Sequence, residues 1–295
     1  MGINFNTMER IAKFAESSGV KFCLKPPNLN NASFEGLKIL EKDVFTRLNP
    51  FFTKMTEAEN ALLPKELHNT KMGKAFAEKI PKIRYRETEE ASIFRDNGKL
   101  IAKSSDDKAL HSEFKPTDIE NVQALSWLQG VDTGVLHNHL VEGTLSGLDS
   151  NMFFGLHNKV MMATLPSGGY AALSRTKSLV NIDVSAEICK DISKFILNDA
   201  KAEIKLTRTN LTNSEIFKKI DTFRDEQLKR FVKKHEEYGL KYEYKHGDKS
   251  LGIIPDFKSV HQNVRSRFIE DGLTCEQADK ALKEIDETPL ENFYI

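Results

Sequence analysis

The 295-residue sequence has few cysteines and no long apolar segment. Its three cysteines, Cys23, Cys189 and Cys275, are odd in number and far apart, which argues against a disulfide framework and against a Cys-rich zinc motif. No apolar run approaches the ~20 residues of a membrane-spanning helix. The first residues lack the basic and apolar segments of a secretory signal. We therefore expect a soluble protein of a reducing compartment, either cytoplasmic or delivered into a target cell.

The sequence also lacks an excess of charge of either sign. Forty-three basic residues balance 43 acidic ones, so there is no global electrostatic attraction toward nucleic acid or an anionic membrane. Neither is expected as a partner. The hydrophobic share of 39%, with 19 Phe, is enough to form a real core, which excludes wholesale disorder.

The pattern of apolar residues divides the chain into three regions. Residues 1–80 and 181–295 are predicted to be mainly helical, and in the second of these Thr274 with Gln277 predicts a capped helix start. Residues 81–180 mix strand and helix signals. The predicted class is α/β (α+β), with a central mixed core and helical extensions on both sides.

The central region contains clear turn and strand signals. Asp96-Asn97-Gly98 between two apolar runs predicts a β-hairpin. Residues 134–139 predict a strand, residues 146–159 a helix, and residues 160–173 two strands around a Pro-Ser-Gly-Gly turn.

His137 and His139 are the strongest chemical signal. They stand two apart on the predicted strand, so both imidazoles project from one face and can converge on a cation. Asp149, in the first turn of the next helix, can supply a third ligand. Two His and one Asp with an open position are typical of a catalytic zinc site rather than a structural one. Ser146 lies three residues before Asp149, which is also the spacing of an ordinary helix N-cap.

A zinc hydrolase needs a general base, and the acidic run before the first strand offers three candidates. Glu89 shares strand parity with Ala91 and Ile93, which favours an inward orientation. Glu90 has the opposite parity, and Glu87 also competes. A solvated acidic patch is the alternative interpretation of this run.

Together these residues resemble the JAMM (JAB/MPN) metallopeptidase family, and most closely its phage- and toxin-associated branch. The resemblance covers roughly residues 81–178 and rests on EEASIFRDNGKLIA, GVLHNHLVEGTLSGLD and LPSGGYAAL. Leu140 stands where the family usually has Pro, and six residues separate His139 from Ser146, one fewer than the commonest form.

The resemblance implies a cytidine-deaminase-like core of mixed sheet and flanking helices. It implies Zn²⁺ bound by His137, His139 and Asp149, with Glu89 or Glu90 as general base and acid. The Ser146 hydroxyl would help to hold the oxyanion. The implied reaction is hydrolysis of a peptide or isopeptide bond, with a peptide or a ubiquitin-like protein conjugate as substrate.

Two other functions are alternatives to this one. A His-Asn-His nuclease is disfavoured because its histidines and asparagine are spread over tens of residues, and because the chain is electrically neutral. The second is a non-catalytic JAMM-like interaction module of a phage or secreted effector system. In that case the C-terminal helices would bind a protein partner.

Overall fold

The structure, a computed structural model, describes residues 53–104, 106–108, 111–176, 182–247, 256–260 and 264–294. Most of the predicted N-terminal helical region therefore lies outside the described residues, as does Cys23. Cys189 and Cys275 form no disulfide bond within the described residues. Among the described helices, none combines the length and the apolar character that a membrane crossing requires.

Nine helices and eight strands make up the described part of the chain. The α-helices are α1 Glu57–Asn60, α2 Lys71–Ile83, α3 Pro116–Gln123, α4 Gly147–Gly155, α5 Ile182–Thr207, α6 Asn213–Lys234, α7 Phe257–Val260, α8 Val264–Glu270 and α9 Cys275–Glu287. The strands are β1 Ala91–Arg95, β2 Leu100–Lys103, β3 Asp106–Lys108, β4 His111–Glu113, β5 Thr133–Asn138, β6 Val160–Thr164, β7 Tyr170–Arg175 and β8 Leu240–Lys245. Short 3₁₀ segments and a π-helical turn after α3 link some of them.

Six strands form one mixed sheet in the order β2-β1-β5-β6-β7-β8, while β3 and β4 form a separate hairpin. Only β5 and β6 are parallel, and they are joined by α4 in a β-α-β unit. The other neighbouring pairs are antiparallel. The parallel pair lies at the centre of the sheet, so the chain leaving β5 passes directly from the sheet to α4.

Helices cover both faces of the sheet. One face packs against α2 through Phe76 and Ile80, which are fully buried beside Leu136 and Met162. The other face packs against α4, α5 and α6 in a larger core. Val135 points into this second core, and His137 shares its strand parity. The pleat therefore directs His137 toward the α4 side.

The predicted mixed α/β class is confirmed. The hairpin at Asp96-Asn97-Gly98 is present as β1 and β2, with Gly98 at a φ of 82°. The Thr274 capping box opens α9. The region predicted as helical from residue 181 onward also contributes β8, which pairs with β7 and extends the sheet. That strand was not predicted.

Candidate metal centre

The end of β5 fixes the two histidines. Ala91 of β1 is the register partner of His137, and Ala163 of the parallel neighbour β6 lies on its other side. His139 follows the strand, and its backbone N–H still donates to Thr164 O at 3.0 Å. Both histidines are thus held by strand pairing at the centre of the sheet, and both are buried.

The start of α4 fixes the carboxylate. Ser146 is the N-cap, and its hydroxyl accepts a hydrogen bond from the Asp149 backbone N–H at 3.3 Å. Asp149 Oδ2 in turn accepts from the Ser146 N–H and hydroxyl, each at 2.8 Å. This reciprocal capping box holds the Asp149 side chain against the helix start and leaves Oδ1 facing His137. The predicted Ser-x-x-Asp cap is confirmed.

The structure brings the three predicted ligands together. His137 Nε2 lies 3.3 Å from Asp149 Oδ1, and His139 Nε2 lies 3.8 Å from Asp149 Oδ2. The two imidazole centroids are 4.8 Å apart at an interplanar angle of 61°. One donor atom from each residue lies within 4.8 Å of the others, and these three form the one such group of His, Cys, Asp and Glu side chains among the described residues.

These distances fit a single small cation. Two donors about 2.1 Å from a tetrahedral zinc lie roughly 3.4 Å apart, close to the 3.3 Å between His137 and Asp149. His137 Nε2 is buried and has no hydrogen-bond partner in the described part of the chain. A buried imidazole nitrogen without a hydrogen bond is costly, and coordination of a cation would remove that cost.

The electrostatics of the cluster also favour a cation. Burial lowers the pKa of His137 to about 4, so this imidazole is neutral and can offer a lone pair at neutral pH. Burial opposes the charged form of His139 as well, but the Asp149 and Glu89 carboxylates outweigh it and raise its pKa. Burial alone would raise the pKa of Asp149. Both histidines lower it below its ordinary value, so the carboxylate is ionised.

His139 has a defined tautomer. Its Nδ1 lies 3.0 Å from the Gly143 carbonyl oxygen. A carbonyl oxygen only accepts, so Nδ1 carries the hydrogen, and in the neutral ring Nε2 carries the lone pair. Nε2 is the atom that faces Asp149. This hydrogen bond is of the kind that orients metal-binding histidines in proteins.

Glu89 is the acid that faces the cluster. Continuing the antiparallel register of β1 and β5 places Glu89 opposite His139. The pKa of Glu89 is raised to about 7, mainly by burial; His139 acts to lower it and Asp149 to raise it. The Glu89 carboxyl group therefore interacts with both of these residues. A carboxyl group with this pKa can accept and return a proton near neutral pH.

Glu90 lies in a different environment. It is fully buried and forms ion pairs with Lys79 of α2 at 2.5 Å, with Lys103 of β2 at 3.2 Å, and with Arg86. Glu87 is exposed. The structure therefore separates the three candidate bases: Glu89 interacts with His139 and Asp149, whereas Glu90 is paired with cationic side chains.

Ser146 is present at the site, but its hydroxyl is directed at Asp149. In this geometry the hydroxyl orients the ligand carboxylate. The oxyanion-binding role that the resemblance implies would require this hydroxyl to turn away from Asp149.

Two residues that support the site, Asn138 and Asp199, were not predicted from the sequence. Asn138, between the two histidines, is fully buried; its Oδ1 accepts from the Glu90 N–H at 2.7 Å and its Nδ2 donates to Thr88 O at 3.1 Å. It thereby binds the backbone on both sides of Glu89. Asp199 of α5 accepts from the Gly147 N–H at 3.3 Å and pairs with Arg224 at 2.7 Å. For Asn138 the available sequence signal was its position between the two histidines. For Asp199 there was none, because it lies 52 residues from Gly147 in the chain.

Comparison with known proteins gives no family for this chain. A scan of protein-family models, a search of curated proteins and a search of solved structures each found no match.

Proposed function

We propose that this protein is a zinc-dependent hydrolase, a metallopeptidase or isopeptidase of the JAMM (JAB/MPN) kind. The observation that carries the proposal is the convergence of His137, His139 and Asp149 on one point, with Glu89 beside them. Two imidazoles and one carboxylate leave an open position on a tetrahedral cation, as catalytic zinc sites do.

The order of the elements supports the family assignment. A glutamate precedes β1, His-x-His ends the central strand β5, and Ser-x-x-Asp opens α4. The same order underlies the resemblance drawn from the sequence. The β-α-β unit in a mixed sheet with helices on both faces is compatible with the cytidine-deaminase-like core that the resemblance implies.

The chain's own groups divide the catalytic work as follows. His137, His139 and Asp149 would hold the cation, which when bound supplies Lewis-acid polarisation of the scissile carbonyl and acidification of water. Glu89 accepts the proton of the attacking water and passes it to the leaving amine. The Ser146 hydroxyl orients Asp149, and the Gly143 carbonyl orients His139. Asn138 fixes the backbone on both sides of Glu89.

The proposed substrate is a peptide or a ubiquitin-like protein conjugate. This part rests on the family resemblance, since no residue of the described chain identifies a sequence preference. The leaving group of such a bond is an amine, either an α-amine or a lysine side chain, and an amine must be protonated to depart. Glu89, with a pKa of about 7, is suited to that step.

The first test is metal content. Protein purified in zinc-supplemented medium should hold close to one zinc per chain by elemental analysis, and the His137→Ala/His139→Ala double variant should hold none. Wild-type protein that folds but binds no divalent cation would refute the metal centre.

The second test is an activity screen against ubiquitin-like conjugates and peptides. Cleavage should be abolished by a chelator and restored by zinc. A zinc-loaded protein that cleaves nothing in the screen would instead favour the non-catalytic interaction module.

A further inference from the structure

The loop between His139 and α4 is attached to the C-terminal part of the chain. Thr144 N–H donates to Asp221 Oδ1 of α6 at 2.7 Å. Asp221 Oδ2 accepts from the Tyr244 hydroxyl of β8 at 3.0 Å, and the same hydroxyl lies 3.2 Å from Glu142 O. The loop also lies directly against α6, since a Cβ on Gly143 would be 3.5 Å from the Phe217 ring.

The hydrogen bond to Asp221 and the hydrogen bond from His139 involve the same peptide group. The carbonyl of Gly143 and the N–H of Thr144 belong to the same peptide unit, which is planar and rigid. The carbonyl accepts from His139 Nδ1 at 3.0 Å, and the N–H donates to Asp221 at 2.7 Å. His139 and Asp221 are therefore hydrogen-bonded to opposite sides of the same rigid peptide group. A carboxylate on the N–H end polarises the peptide and strengthens its carbonyl as an acceptor.

From this geometry we infer that Asp221 is a positioning residue of the metal centre, acting on His139 through the Gly143–Thr144 peptide. Metal-binding histidines commonly donate their second ring N–H to a carboxylate or a backbone carbonyl, which fixes the ring and its tautomer. Here the carbonyl is that of Gly143, and the N–H of the same peptide is hydrogen-bonded to the Asp221 carboxylate. Part of the C-terminal region, α6 with β8, thus completes the site and is more than an accessory surface. The inference rests on the proposed metal centre, but it makes a separate prediction for the metal-free protein.

The metal-binding test uses zinc alone, titrated by calorimetry or against a competing chelator. Asp221→Ala should weaken zinc binding by about 10- to 100-fold, the usual range for loss of an outer-shell partner. Asp221→Asn keeps an acceptor for the Thr144 N–H but loses the charge, so its effect should be smaller. Tyr244→Phe removes the hydroxyl that holds Asp221 and should give a smaller loss in the same direction.

Asp191→Asn is the matched control. Asp191 is also a buried carboxylate, on α5, but it pairs with Lys234 and His235. Within the described residues it has no hydrogen bond or ion pair to the loop between His139 and α4. This variant should lose stability and keep the zinc affinity of the wild type. If Asp191→Asn weakens zinc binding as much as Asp221→Ala does, the effect is a general loss of stability and the inference is wrong.

The second readout needs no metal. In ¹⁵N-histidine NMR spectra of the metal-free protein, recorded at a pH where the ring is neutral, His139 should be protonated at Nδ1. In Asp221→Ala the signal should move toward a mixture of tautomers. An unchanged His139 tautomer and an unchanged zinc affinity in Asp221→Ala would overturn the inference while leaving the metal centre intact. Wild-type protein that binds no zinc would refute the proposed function, and the tautomer would still decide the role of Asp221.

Discussion

Glu89 and Glu90 are consecutive in the chain but lie in different environments. Glu89 lies beside His139 and Asp149, and its pKa is raised to about 7 by burial. Glu90 forms ion pairs with three cationic side chains, from α2, β2 and the segment between α2 and β1. Burial would raise the pKa of Glu90, but Lys79 and Lys103 outweigh it and lower this pKa. Neighbouring residues in an extended segment point to opposite sides, so a single step along the chain separates a candidate base from a structural ion pair.

Glu89→Gln should slow hydrolysis strongly without releasing zinc. The amide has nearly the same shape but cannot take the proton of the attacking water, so the rate should fall by about 10²- to 10⁴-fold. Zinc content and the hydrolysis rate of the same sample provide the measurement.

Glu90→Gln is the control for this prediction. It leaves Lys79, Lys103 and Arg86 without their shared carboxylate, so it should lower the unfolding temperature and leave the catalytic rate of the remaining folded protein near that of the wild type. The opposite pattern, with Glu90→Gln inactive and Glu89→Gln active, would transfer the role of base to Glu90.

At the scale of elements, α5 and α6 are joined by a buried polar contact. Asp191 of α5 is 1% exposed and pairs with Lys234 at 2.5 Å and with His235 at 2.9 Å, at the C-terminal end of α6. Burial would raise the pKa of Asp191, but Lys234 and His235 together lower it. The ionised Asp191 therefore stabilises the packing of α5 against the C-terminal end of α6.

Asp191→Asn should destabilise the protein at neutral pH by about 1–3 kcal/mol, less than a fully buried ion pair because Lys234 is nearly half exposed. The pKa of Asp191 is lower in the folded state, so its contribution is present above the unfolded value of about 4 and is lost as pH falls through the folded pKa. Denaturant unfolding of wild type and variant should therefore differ at pH 7, and the difference should shrink as the pH falls through the folded pKa of Asp191.

Asp279→Asn gives the comparison for an exposed pair. Asp279 and Arg265 are each about half exposed, and water screens their attraction, so this variant should change the free energy of unfolding much less than Asp191→Asn does. A difference between wild type and Asp191→Asn that stayed constant with pH would argue against an ionised Asp191 as the source.

The elements that were predicted carry local signals. The Asn-Gly turn, the capping boxes at Ser146 and Thr274, and the His-x-His strand depend on residues a few positions apart. β8 was missed although Leu240, Tyr242 and Tyr244 alternate with charged residues, a pattern of period two. The choice between Glu89 and Glu90 also needed the structure, because Lys79 and Lys103 come from α2 and β2. The roles of Asp199 and Asp221 depend on contacts more than 50 residues apart, for which a single sequence has no local signal.

At the scale of the whole molecule, a bound cation should stabilise the fold. The ligands come from a central strand and from α4, so the folded state presents an assembled site that the unfolded chain lacks. Binding to the folded state alone contributes about 2.7 kcal/mol when free zinc is 100 times its dissociation constant.

Thermal unfolding should accordingly shift upward by several degrees with zinc, and a chelator should reverse the shift. The His137→Ala/His139→Ala variant should show no such shift. An equal rise in both proteins would mean that zinc acts elsewhere on the chain.

The pairing of β7 with β8 has a consequence for biosynthesis. About 60 residues, including α5 and α6, separate the two strands in the chain. At 5–20 residues per second, a ribosome needs roughly 3–13 s to make that stretch, and during this time β7 has no partner on its outer side. The nascent chain would then present an open strand edge to other chains, and such edges favour aggregation. Expression at lower temperature or with a co-produced chaperone should therefore increase the soluble yield.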